Sequence, residues 1–101
     1  MGDRLDLQQK LEDLLGLRHV YYQPPSSVKM EYPAIVYLKQ GIQQRHADNT
    51  TYLINKRYSV TVISRIPDEP VIDKLLMLPY CSYDRNYKAD NLYHDVLTLY
   101  Y

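Results

Sequence analysis

The sequence predicts one α+β domain over residues 1–101: a mainly antiparallel sheet of four to five strands with two helices on one face, in the order α-β-β-β-α-β-β. Two short apolar stripes at helical spacing and several β-branched or aromatic runs with two-residue alternation supply the elements. The connections between them are too short for a doubly wound parallel sheet, which leaves the antiparallel arrangement. At 101 residues, with 46% hydrophobic and 24% charged residues, the chain has ordinary globular composition and room for one core. A chain of this length buries roughly two-thirds of its unfolded surface, enough to fold without a metal or disulfide.

Leu5, Leu7, Leu11, Leu14 and Leu15 recur at three- and four-residue steps among polar residues, the pattern of an amphipathic helix. Asp3 suits its N-cap and Gly16 its end. Leu17 to Tyr22 reads as a short strand, broken by Pro24 and Pro25, and residues 23–31 read as a loop. Tyr32 to Leu38 is β-branched and aromatic, with Pro33 acceptable at a strand start. Gly41 and the polar residues through Thr51 read as a turn region. From Tyr52 on, Ile54, Tyr58, Val60 and Val62 alternate with Asn55, Arg57, Ser59, Thr61 and Arg65, so one face is core and the other wet. Lys56 and Ile63 break the pattern.

Pro67-Asp68-Glu69-Pro70 has the acid and proline bias of a helix start, followed by an apolar stripe of Val71, Ile72, Leu75, Leu76 and Leu78 that Pro79 ends. Tyr80 to Tyr87 is a strand, Lys88-Ala89-Asp90-Asn91 a turn, and Leu92 to Tyr101 a last strand. That strand is apolar on both sides, which requires a central place in the sheet or a covering neighbour.

Twelve tyrosines stand beside no phenylalanine and no tryptophan. Each buried tyrosine hydroxyl needs a partner, so a tyrosine-only aromatic set suits half-buried, protein-contacting surfaces; strand propensity explains the same composition. Lysine plus arginine equal aspartate plus glutamate at 12 each, without the basic excess of nonspecific phosphate binding. One cysteine, Cys81, excludes an internal disulfide and fits a reducing compartment. Without an apolar run long enough for a bilayer or a basic and apolar leader, the chain reads as soluble and intracellular.

No enzyme chemistry, cofactor or metal is expected. His19, His46 and His94 lack metal-site spacing, and a zinc site requires convergence of scattered residues. Cys81, His94 and Asp95 are the one trio with nucleophile, base and orienting group, but no strand-to-helix elbow or glycine-lined oxyanion loop surrounds Cys81. Only Gly2, Gly16 and Gly41 are present, so no loop cradles phosphate.

Two polar, mixed-charge segments remain. Residues 41–51, with Arg45, His46, Asp48 and Asn49, read either as a solvated loop or as one that reaches a partner. Tyr83, Asp84, Arg85, Asp90 and Asn91 form the second, with Arg85 placed to meet an acid of its own chain or Asp84 of a neighbour.

The blocks Val20-Tyr21-Tyr22-Gln23, Tyr32-Pro33-Ala34-Ile35-Val36-Tyr37, Ala47-Asp48-Asn49, residues 56–63, residues 78–85 and residues 87–96 together resemble the tail-completion, or tail terminator, proteins of long-tailed bacteriophages. The resemblance implies a structural protein of the virion, assembled in the host cytoplasm as a ring of six subunits. Its partners would be further copies of itself, the major tail tube protein and a head-closure or connector protein, with DNA passing through the lumen unheld and no membrane involved. Residues 41–51 would then contact tube or neighbour, and residues 84–91 the lateral neighbour. A head-closure adaptor or minor capsid component is the nearest alternative. A single-stranded nucleic-acid module stacking bases on Tyr58 or Tyr83 is the more distant one.

Overall fold

A computed structural model describes residues 4–25, 27–47 and 50–101, with side chains described outside 43–55. Its element order is α1 (Arg4–Leu15), β1 (Val20–Tyr22), β2 (Ala34–Ala47), β3 (Thr50–Ser64), α2 (Pro70–Leu76), β4 (Cys81–Ala89) and β5 (Leu92–Tyr100). The α+β class and the order α-β-β-β-α-β-β are those the sequence predicts. The five strands lie in the order β1-β2-β3-β5-β4, antiparallel except for β1 against β2.

Both helices pack into one core. Leu7 and Leu11 from α1 and Val71 and Leu75 from α2 meet Ile35, Tyr37, Tyr58, Val60, Val62, Leu97 and Leu99 from the sheet. Cross-strand partners share a face, and the pairs Tyr37 with Val60, Val60 with Leu97 and Tyr58 with Leu99 put these residues on the same side. Leu5, counted in the apolar stripe of α1, is two-thirds exposed, while Leu14 and Leu15 rim the core. Gly16 ends α1 with φ +79°, a left-handed value at which a side chain is strained, and its N–H bonds Glu12 O at 2.9 Å. Asp3 lies outside the described residues.

A core without phenylalanine requires hydroxyl partners, and it has them. Tyr37 Oη donates to Gln8 Oε1 at 2.5 Å, and Gln8 Nε2 donates to Glu12 Oε2 at 3.0 Å and to the Val20 carbonyl at 2.9 Å. The same network ties α1 to β1 and β2. Among the described residues no buried side-chain nitrogen or oxygen is left without a partner. Tyr37 stacks at a tilt on Tyr22 and Tyr58, with centroids 4.9 and 5.9 Å apart.

β5 is the apolar strand that needed two neighbours, and β3 and β4 flank it. Ile63, an exception to the alternation on β3, sits almost fully buried on the sheet face opposite the helices, paired with Ala34 and His94 and beside Val96. The β4–β5 turn is tighter than the four-residue turn predicted: Asp90 and Asn91 alone carry it, with φ +52° and +62°. Two consecutive left-handed residues match the right-handed twist of a hairpin, and Asp and Asn tolerate them.

Candidate functional site

Residues 41–51 were expected to be a turn region, and here the structure corrects the sequence. β2 continues through Gly41 to Ala47 and pairs with β3 back to Thr50, with Arg45 opposite Leu53 and His46 opposite Thr51. Gly41 marks a bulge, not an end. The register shifts between Lys39 and Gly41, and a Cβ on Gly41 would stand 3.4 Å from the Arg57 guanidinium. A glycine inside a strand often signals such a bulge or close approach. Beyond it β2 is polar apart from Ile42 and Ala47, so the sequence shows no apolar alternation there, yet its backbone pairs with β3. Asp48 and Asn49 lie outside the described residues.

The result is an arm. β5 pairs with β3 from Arg57 to Ser64, and Lys56 exchanges two backbone hydrogen bonds with Tyr101, so Thr50 to Asn55 continue past the end of β5 paired with β2. Six residues of strand span about 20 Å. The bulge lies where this arm leaves the five-stranded part of the sheet, with Arg57, Gly41, Ile42 and Tyr100 lining a surface hollow there.

The second predicted cluster lies on β4, an outer strand exposed along most of its length. Its five residues do not form one patch. A register shift between Tyr83 and Arg85 puts Tyr83 opposite Leu97 on the helix side, while Arg85 pairs with Val96 on the other. Tyr83 Oη donates to Asp95 Oδ1 at 2.5 Å and accepts Asn86 Nδ2 at 2.9 Å. The Asp95 carboxylate, first, and burial, second, push the Tyr83 phenol above its usual pKa, because deprotonation would place two anions together. On the other face Thr98 Oγ1 donates to Asp84 Oδ2 at 2.8 Å, the Arg85 guanidinium lies 5.9 Å from the Tyr87 ring, and Tyr87 stacks on His94 at 4.7 Å. Asp90 and Asn91 form the turn.

Sequence reasoning missed Asp95 as Tyr83's partner and missed an exposed apolar run after α2. Leu76, Met77 and Tyr80 are all exposed, Met77 by 85%, and Tyr80 holds φ +64°. The signal for that run was present in the sequence, as Leu76-Met77-Leu78-Pro79-Tyr80 is five apolar or aromatic residues in succession where the helix stops.

Cys81, His94 and Asp95 do not assemble. Cys81 pairs with Leu99 at one end of β5, and His94 faces the opposite side of the sheet from Asp95, whose carboxylate serves Tyr83. Burial raises the Cys81 thiol pKa, which keeps it protonated at neutral pH. Among the described residues no three His, Cys, Asp or Glu side chains converge as a metal site, and no helix is long and apolar enough to cross a membrane. Tyr58, one of the two rings proposed for base stacking, is buried beneath the helices; Tyr83 is half exposed.

The chain matches no protein-family model and no curated protein.

Proposed function

We propose that this protein is a structural subunit of a phage tail, a terminator that assembles into a ring of six on the tube end and joins it to the head. The observation that carries the reading is the two-stranded arm, a β2–β3 ladder that continues beyond the end of β5. A small domain gains no core from such an extension; an extension of this kind serves contact with another chain. The resemblance to tail-completion proteins names the assembly. The exposed apolar run at Leu76, Met77 and Tyr80 and the outward face of β4 supply further contact area. Net charge zero suits a lumen through which DNA slides without being gripped.

Electron microscopy of the purified protein, alone and mixed with tail tubes of the same phage, tests the reading. Rings seated on tube ends are the expected result. A protein that stays monomeric at high concentration and leaves tube ends bare would overturn it.

A further inference from the structure

β1 and β2 are neighbours and run parallel, so residues 23–33 carry the chain from the end of β1 back to the start of β2 across one face of the sheet. Such a crossover is usually a helix. Here its described residues form neither helix nor strand, and side-chain contacts hold it down. Val20 faces the helices in the core, so Tyr21 points to the opposite face of the sheet, and His19, two residues before it, shares that face. Glu31 meets both. Its N–H donates to Tyr21 Oη at 3.3 Å, and a carboxylate oxygen lies 2.8 Å from His19 Nε2. The other ring nitrogen, Nδ1, lies 3.2 Å from the Pro33 carbonyl oxygen.

Both atoms that meet the His19 ring are acceptors. A neutral imidazole carries one N–H and serves one of them, whereas an imidazolium carries two and serves both. The His19 side chain is 23% exposed, so a nitrogen that loses its bond has little water to turn to, while Glu31, 78% exposed, is able to swing away. Glu31 is the charged group at the ring. Around it, the Tyr21 hydroxyl is held by the Glu31 N–H, Arg65 lies 5.6 Å from the Tyr32 ring centroid, and Pro33 offers its carbonyl. We infer that residues 27–33 form a pH-sensitive strap, clamped on the sheet by the doubly protonated His19 ring and loosened when that ring gives up a proton. With Nδ1 as the remaining donor, the Nε2 lone pair faces the Glu31 carboxylate. With Nε2 as the donor, the Nδ1 lone pair faces the Pro33 carbonyl. Either way one of the two tethers is lost. The strap is closed at mildly acidic pH and opens as pH rises through the range in which histidine side chains lose their charge, about 5 to 8. Opening uncovers the Tyr21 hydroxyl on an edge strand of the sheet.

Amide hydrogen exchange and NMR titration of the full chain test this. After correction for the intrinsic pH dependence of exchange, protection of the Glu31 amide is expected to fall about three- to tenfold between about pH 5.5 and 8.5. The amide shifts of Lys29, Met30 and Glu31 should move with the midpoint at which the His19 ring nitrogens titrate. Core amides such as that of Val60 keep their protection over the same range, which separates strap opening from unfolding. H19Q and E31Q should each abolish the step. In E31Q the exposed side chain leaves the core untouched, and an amide at that place accepts from the charged ring or donates to the neutral one. H94Q should retain the step. A His19 titration that leaves the strap amides still, or equal Glu31 protection at both pH values, would overturn the inference. So would a step that survives H19Q or E31Q, or one that disappears in H94Q.

Discussion

β2 and β3 do two different jobs along their length. From Ala34 to Lys39 and from Tyr58 to Ser64 they lie beneath the helices or beside β5, where Ile35, Tyr37, Val60 and Val62 are sealed from water. From Ile42 to Ala47 and Thr50 to Asn55 they run past the end of β5 and pair with each other. One half of the hairpin owes its stability to burial and the other is held by main-chain pairing, which for an isolated two-stranded ribbon is marginal. The difference teaches that the first half defines the fold and the second extends it. Substitutions should therefore separate: those in the packed half unfold the protein, and those in the arm change what it binds.

The largest expected effect is in the packed half. Leu11→Ala removes a fully buried side chain from the centre of the core and should cost about 2–5 kcal/mol, read as a drop in the denaturant midpoint. Tyr37→Phe keeps the ring but strips the hydroxyl from Gln8 Oε1, for about 1–2 kcal/mol in the same assay. Asn91→Ala places a Cβ without a compensating polar group at φ +62° and should cost about 1 kcal/mol, with Asn91→Gly near neutral. Equal costs for Asn91→Ala and Asn91→Gly would show that left-handed strain is not what the turn controls.

Tyr83→Phe gives a smaller effect with a pH signature. The folded phenol pKa is raised, so its contribution is fully present below the unfolded value of about 10 and is lost as pH climbs through the folded value. Wild type should exceed the variant in stability by a constant margin at neutral pH, and the margin should shrink above about pH 10. A margin that ignores pH in that range would detach Tyr83 from Asp95.

Most of the fold was legible because burial writes itself into the sequence. The leucine spacing of α1, the Val60 and Val62 alternation and the double-sided apolarity of β5 all report a core, and each element formed where they indicated. Bulges write almost nothing. At Gly41 the one-residue shift sits where polar residues replace apolar ones, so a strand read as a turn region. On β4 the turn at Asp90 and Asn91 would place Tyr83 opposite Thr98; the shift before Arg85 moves it opposite Leu97 and onto the other face. Tyr83 thereby reaches Asp95, and Asp84 turns to Thr98. Five residues read as one interaction cluster are thus split between two faces and a turn, and no spacing rule on a single sequence anticipates where the extra residue falls.

The separation of arm from body can be tested in one chain. Ile42 and Lys56 are cross-strand partners, so replacing residues 43–55 with an Asn-Gly turn closes the hairpin at the arm's root and keeps the bonds of Lys56 to Tyr101. Thermal unfolding and sedimentation of this shortened chain should show a melting temperature within a few degrees of wild type, together with loss of self-association. A shortened chain that unfolds, or one that assembles as well as the wild type, would contradict the account.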